Sequence, residues 1–146
     1  DDTSLQKTAE LKINLLKPEH IVAWSGYTND NEKPAFLIDG NENTKWCDTS
    51  MLPNYIDFDL GMEKEISGWK MVNAAQESYS YSCFLQGRNN PNEVWRTLDF
   101  VTGNKQNVIN HSLGKTEKVR YLRLLVTQPV QAANGKDTRI YEFAVF

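Results

Sequence analysis

The chain has 146 residues, 40% hydrophobic and 24% charged, with a net charge of −3. That length suits one domain with a two-layer core, and the acidic balance argues against nucleic acid and anionic lipid, both of which attract positive fields. No stretch reaches the roughly 18 to 20 continuous apolar residues of a membrane-spanning helix. No charged-then-apolar leader opens the sequence, so an export signal is expected to have been removed or to lie outside these residues.

In chain order, the first segment, Thr3 to Leu16, is ambiguous. Leu5, Ala9, Leu11, Leu15 and Leu16 follow a helical stripe loosely, Lys12-Ile13-Asn14-Leu15 alternates like a strand, and Pro18 stops either one. Short alternating segments separated by turn residues follow, the pattern of a sandwich or barrel. Tyr55 to Leu60 sets Ile56, Phe58 and Leu60 on one face and Asp57 and Asp59 on the other, and Gly61 is expected to end it. Further strands are expected at Ile66 to Val72, Cys83 to Gly87 and Val94 to Leu98. Val119 to Val126 and the terminal Ile140 to Phe146 complete the series. Long polar loops fall at Ser25 to Lys33, Cys47 to Asn54, Ala74 to Tyr81 and Thr127 to Thr138, the places where a sandwich carries function. Trp24, Trp46, Trp69 and Trp95 each adjoin a strand and are expected in the core.

Cys47 and Cys83 are too few for a disulfide framework or a thiolate zinc site. They suit either one bridge or two buried free thiols. Asp39-Gly40-Asn41-Glu42-Asn43-Thr44 gathers oxygen-bearing side chains around a glycine, the donor mixture a hard cation prefers. It is not an EF-hand: Thr44 stands where the sixth-position glycine belongs and Ser50 where the bidentate acid belongs. Glu142 lies inside the otherwise apolar Ile140 to Val145. A carboxylate there requires a cation, a hydrogen-bonding partner or an exposed edge.

Five pieces in register resemble the discoidin family, also called coagulation factor V/VIII type C domains, and within it bacterial family 32 carbohydrate-binding modules. They are Ala35-Phe36-Leu37-Ile38-Asp39-Gly40 through Thr44-Lys45-Trp46; Ile56-Asp57-Phe58-Asp59-Leu60-Gly61; Phe84-Leu85-Gln86-Gly87 before Trp95; Arg120-Tyr121-Leu122-Arg123-Leu124; and Ile140-Tyr141-Glu142-Phe143. The likeness runs from about Trp24 to the end, with residues 1–20 as a lead-in to a single domain. It implies an all-β, antiparallel jelly-roll β-sandwich of the galactose-binding-domain type, with its terminal strands adjacent. It also implies a structural calcium ion held by the backbone oxygens of Phe36, Asn41 and Tyr141, the side chains of Asp39 and Glu142, and both oxygens of Thr44.

The resemblance further implies a monomeric, non-catalytic glycan-binding module. Its setting would be a secreted or cell-surface bacterial glycan-processing enzyme, in an extracellular, periplasmic or surface location. Candidate ligand residues are Tyr79 and Tyr81 for ring stacking, with Tyr27, Asp48, Asn54, Gln76 and Asn134. Galactose-binding relatives place a histidine after the tryptophan matching Trp46 and an arginine before the strand matching Phe84. Cys47 and approximately Tyr79 stand there, which argues against galactose. Three other classes compete. Catalysis would need His20, His111 or the Asp57–Asp59 pair, and none lies in a recognisable motif. Membrane binding would use the apolar tip Met51-Leu52-Pro53, which lacks basic neighbours. Nothing in these residues excludes protein adhesion.

Overall fold

The computed structural model describes residues 12–74, 80–129 and 137–146. Seven strands appear: β1 (Ile21–Trp24), β2 (Trp46–Asp48), β3 (Asn54–Asn73), β4 (Tyr81–Arg88), β5 (Arg96–Asn104), β6 (Val108–Gln128) and β7 (Thr138–Val145). All pairings are antiparallel. Two 3-10 turns, Pro18–His20 and Pro34–Ile38, flank β1, and each begins with a proline, whose fixed φ suits the first turn.

The two longest strands build the sandwich. The first half of β3 pairs with β1 and with the second half of β6, whose other edge carries β4 and then β5. The second half of β3 pairs with the first half of β6 and with β7, which carries β2. One layer is therefore β1-β3-β6-β4-β5 and the other β6-β3-β7-β2, joined where β3 and β6 bend between them. The bend in β3 is a register shift between Asp59 and Lys64. Gly61 sits inside it with φ 83°, a conformation that costs a side-chain-bearing residue. The glycine expected to end the strand thus bends it, and the two strands read around it are one. β6 likewise extends well before Val119, to Val108.

The inward positions fill a single apolar cluster containing Trp46, Ile56, Phe58, Trp69, Met71, Leu85, Leu122, Leu124, Ile140 and Phe143, all fully buried. Phe58 from one layer meets Phe143 from the other at 5.8 Å between ring centroids. Gly68 admits close strand approach: a Cβ there would lie 2.6 Å from the His111 carbonyl oxygen. Across the layers, Trp69 Nε1 donates to Asp99 Oδ2 at 2.8 Å, and His111 Nδ1 lies 2.8 Å from the same oxygen.

The terminal segments are adjacent, as the resemblance implies. Leu15 N donates to the Val145 carbonyl at 2.8 Å, and the Asn14 amide bonds both Phe143 O and Val145 N. Residues 12–17 form neither a helix nor a regular strand. The earlier part of the Thr3–Leu16 segment lies outside the described residues. Cys47 on β2 and Cys83 on β4 are buried free thiols, and burial pushes the Cys83 thiol well above its ordinary range.

Candidate functional site

Several expected ligand residues turn out to be structural. Tyr81 is 1% exposed, and its hydroxyl donates to Gln106 O at 2.9 Å and accepts from Asn73 Nδ2 at 3.0 Å. Burial pushes this phenol up to about 12. It opens β4 facing inward, so it cannot offer a ring to a sugar. Asp48 and Asn54, 1% and 0% exposed, are also withdrawn from ligand. Asp48 accepts from Ser50 N at 2.8 Å and from the Ser25 hydroxyl, while Asn54 accepts from Thr138 Oγ1 at 2.7 Å and donates to Ser50 O. These residues stand where β2, β3 and β7 meet the loops, and their side chains satisfy polar groups that burial would otherwise orphan. Tyr79, Gln76 and Asn134 lie outside the described residues.

Tyr27 is the expected ligand residue that stands open, and it has an unexpected companion. Trp24, read from the sequence as core, is 44% exposed, and Tyr27 is 39% exposed. Their rings are 6.4 Å apart and tilted by 55°. With Pro18, Ile21, Lys33, Pro34 and Ala35 they line a depression of about 300 Å³, whose one charged side chain is Lys33. The signal for Trp24 lay in β1 itself: its burial alternates along an edge strand, so Val22 and Trp24 face out where Ile21 and Ala23 face in. Trp95 differs again, half-buried between the guanidinium groups of Arg88 at 4.0 Å and Arg123 at 4.8 Å. Trp46 and Trp69 are core as expected.

The loop carrying Tyr27 is held on β2. Trp46 Nε1 donates to Gly26 O at 2.9 Å, Thr28 N to Cys47 O at 2.9 Å, and Cys47 N to Glu32 O at 3.2 Å. Glu32 in turn pairs with Lys45 at 3.2 Å. A core tryptophan therefore fixes the base of the aromatic face, the rigidity a preformed site needs. Beyond it, Met51 is 92% and Leu52 36% exposed.

The oxygen-rich loop converges as its composition suggests. Thr44 Oγ1 lies 3.0 Å from Asn41 O and 3.5 Å from Phe36 O, and it bonds the Asp39 carboxylate. Gly40 holds φ 75° at the apex. Glu142 reaches the same place from β7. Its Oε1 is buried without a hydrogen-bond partner, and its carboxyl is pushed up to about 7, first by burial and then by the charge of Asp39. Among the described residues no three His, Cys, Asp or Glu side chains cluster as a metal site. The donors here are two carboxylates with carbonyl and hydroxyl oxygens, a set that fits calcium rather than zinc. Glu142 Oε1 is the buried polar atom of this loop that a cation held there would satisfy.

The rival catalytic groups are engaged elsewhere. Asp57 receives two bonds from Arg123, at 2.6 and 2.8 Å, and Asp59 two from Arg120, at 2.9 and 3.1 Å. The two aspartates are the anionic halves of separate ion pairs, not a shared carboxylate pair. His20 Nδ1 accepts from Lys17 N at 3.0 Å and thereby closes the first 3-10 turn.

The family model for the F5/8 type C domain matches residues 20–143. No curated protein sequence matches the chain. Among solved structures, chitosan-binding module 1 of a chitosanase/glucanase from Paenibacillus sp. IK-5 is 20% identical with a TM-score of 0.76, covering 92% of this chain and 99% of the module. The family 32 carbohydrate-binding module of Streptococcus pneumoniae EndoD is 19% identical with a TM-score of 0.76, over 92% and 99%. The Clostridium perfringens module CpGH89CBM32-6 is 26% identical with a TM-score of 0.69, over 92% and 98%. The jelly-roll β-sandwich is thus shared with carbohydrate-binding modules, some of them parts of glycoside hydrolases.

Proposed function

The chain belongs to the F5/8 type C domain family, and from that premise we propose that it is a non-catalytic carbohydrate-binding module whose sugar face is Trp24 and Tyr27. The observation that carries this reading is the exposed, tilted aromatic pair over a preformed depression. A pyranose ring has an apolar face that stacks on an aromatic ring, and its hydroxyls then need polar neighbours. Lys33, which lines the depression, supplies one such neighbour. The structural relatives support a role as an accessory module of an extracellular or cell-surface glycan-processing enzyme. A shallow, open site of this kind favours weak affinity for one sugar and stronger attachment when several modules act together.

Calcium belongs to the same proposal. The residues to hold it are Asp39, Thr44 and Glu142, with backbone oxygens of Phe36, Asn41 and Tyr141. When bound, the ion supplies positive charge that offsets the facing Asp39 and Glu142 carboxylates and ties the loop to β7. Its role is structural.

The test is a broad glycan array in calcium, chitosan oligosaccharides included, repeated with Trp24→Ala and Tyr27→Ala. Hits that weaken roughly tenfold in each folded variant, an aromatic contact being worth about 1–2 kcal/mol, support the assignment. A blank array from folded, calcium-loaded protein refutes it. One observation favours a second reading: the exposed Met51-Leu52 tip suits insertion into a lipid surface. Pelleting with liposomes that depended on Met51 and Leu52 would establish that reading instead.

A further inference from the structure

Solvent-facing strand positions of a sandwich are ordinarily polar, and a row across the first layer departs from that pattern. β4 alternates strictly, with Tyr81, Cys83, Leu85 and Gly87 buried, so Ser82, Phe84 and Gln86 face outward. Phe84 pairs with Phe100 of β5 on one side and with Leu125 of β6 on the other, and Leu125 pairs in turn with Tyr55 of β3. Residues directly opposite one another share a face, so Phe100, Phe84, Leu125 and Tyr55 stand side by side on the outside of the sandwich. The Phe84 and Phe100 rings are stacked, with 5.5 Å between centroids and 23° between planes. The stack steadies the β4–β5 hairpin, yet Phe100 remains 52% exposed. Four strands spaced about 4.8 Å apart give the row a length of roughly 14 Å.

Uncharged polar groups border the row on both sides. By the same alternation Ser82, Thr102 and Thr127 lie along one side. Gln86 and Thr97, a direct cross-strand pair, lie along the other. Arg123 and Asp57 continue that second border and neutralise each other through two hydrogen bonds. A charged ligand therefore finds no unpaired counter-ion in these borders, and a purely apolar one leaves their hydroxyls and amide unused. A linear chain of neutral sugars matches every feature: apolar ring faces for the row, hydroxyls for its borders, and a length beyond a single ring. We propose that the outer face of the first layer is a second glycan-binding surface, a flat platform that takes a neutral polysaccharide chain lying across the strands from β5 towards β3.

The row shares no residue with the Trp24–Tyr27 depression, so one experiment separates the two surfaces. Backbone amide shifts would be followed by NMR as cellohexaose, xylohexaose, mannohexaose or chitin hexasaccharide is added to wild type, Trp24→Ala, Phe84→Leu and Phe100→Ser. Phe84→Leu keeps an apolar side chain on β4 and removes the flat ring, so it tests the platform without stripping the hairpin. Expected are shifts at Phe84, Phe100 and Leu125 with at least one of these chains, unchanged in Trp24→Ala. Each phenylalanine variant is expected to weaken that response roughly tenfold, the worth of one aromatic contact. The matching monosaccharide, and hexagalacturonate as an acidic chain of the same length, are expected to act roughly tenfold more weakly than the neutral chain. The proposal is overturned if no neutral chain moves these amides at millimolar concentration, if the shifts are confined to the surroundings of Trp24 and Tyr27, or if Phe84→Leu binds as wild type does. Equal binding of hexagalacturonate overturns the assignment to neutral chains. Shifts of the same amides on raising the protein concentration alone show that a second copy covers this face, and likewise overturn it.

Discussion

Replacing Glu142 by glutamine should stabilise the protein without calcium and destabilise it with calcium. The Glu142 carboxyl titrates at about 7, against an ordinary value of 4.5, because it is partly buried and faces Asp39. Each tenfold change in a protonation equilibrium is worth ~1.4 kcal/mol, so the interval corresponds to about 3 kcal/mol at full burial. Partial exposure screens this, and a net cost of about 1–2 kcal/mol is the appropriate figure. The sign follows from linkage. A folded-state value above the unfolded one means a contribution fully present below about 4.5 and lost as pH rises through about 7. At pH 8 in EDTA the wild type bears the whole cost and Glu142→Gln bears none, so the variant should melt about 3–6 °C higher by calorimetry. At pH 4.5 that advantage should largely vanish. With calcium at a hundred times its Kd the wild type gains about 2.7 kcal/mol, whereas the variant, one anionic donor short, gains much less and the order reverses. A variant less stable than wild type in EDTA at pH 8, or an equal calcium response in both, would refute the reasoning.

Three further outcomes are expected. Trp69→Ala should cost about 3–5 kcal/mol in urea melts, because it empties a fully buried site and removes the indole donor to Asp99; a loss under 1 kcal/mol would contradict the packing described. Tyr81→Phe should cost about 1–2 kcal/mol, through the two hydrogen bonds of its hydroxyl, and leave glycan affinity unchanged; weakened glycan binding with intact folding would restore Tyr81 to the ligand face. The Arg120 hydrogen bonds hold the Asp59 carboxyl below its ordinary range, so its contribution is present above the usual carboxylate value and lost as pH falls through the depressed one. Arg120→Leu should accordingly move the acid-unfolding midpoint to higher pH, and an unmoved midpoint would show that the pair contributes nothing.

The fold was legible because its inward positions alternate cleanly: Ile56, Phe58 and Leu60, or Leu122, Leu124 and Val126, could face only one way. The continuity of β3 was not, since Gly61 is an ordinary strand terminator by type and only the paired β6 shows that the chain bends and continues. The oxygen-rich loop and Glu142 were legible as a chemical anomaly, a carboxylate in an apolar strand, before any geometry. Ligand residues were harder, because Tyr81, Asp48 and Asn54 have the side chains of a sugar site yet stand at strand ends, where the same hydroxyls and amides satisfy the backbone. Trp24 was misread for the complementary reason: a tryptophan beside a strand is usually core, but on a four-residue edge strand the phase of the alternation decides, and it points outward.

The most direct test of the sugar face follows the four tryptophan indole NH signals by NMR while the best glycan from the array is titrated into calcium-loaded protein. Trp46 and Trp69 are fully buried and Trp95 is clamped between arginines, so the account predicts that the Trp24 signal shifts with the binding isotherm while those of Trp46, Trp69 and Trp95 stay in place. Saturable binding that leaves the Trp24 signal unmoved would contradict it.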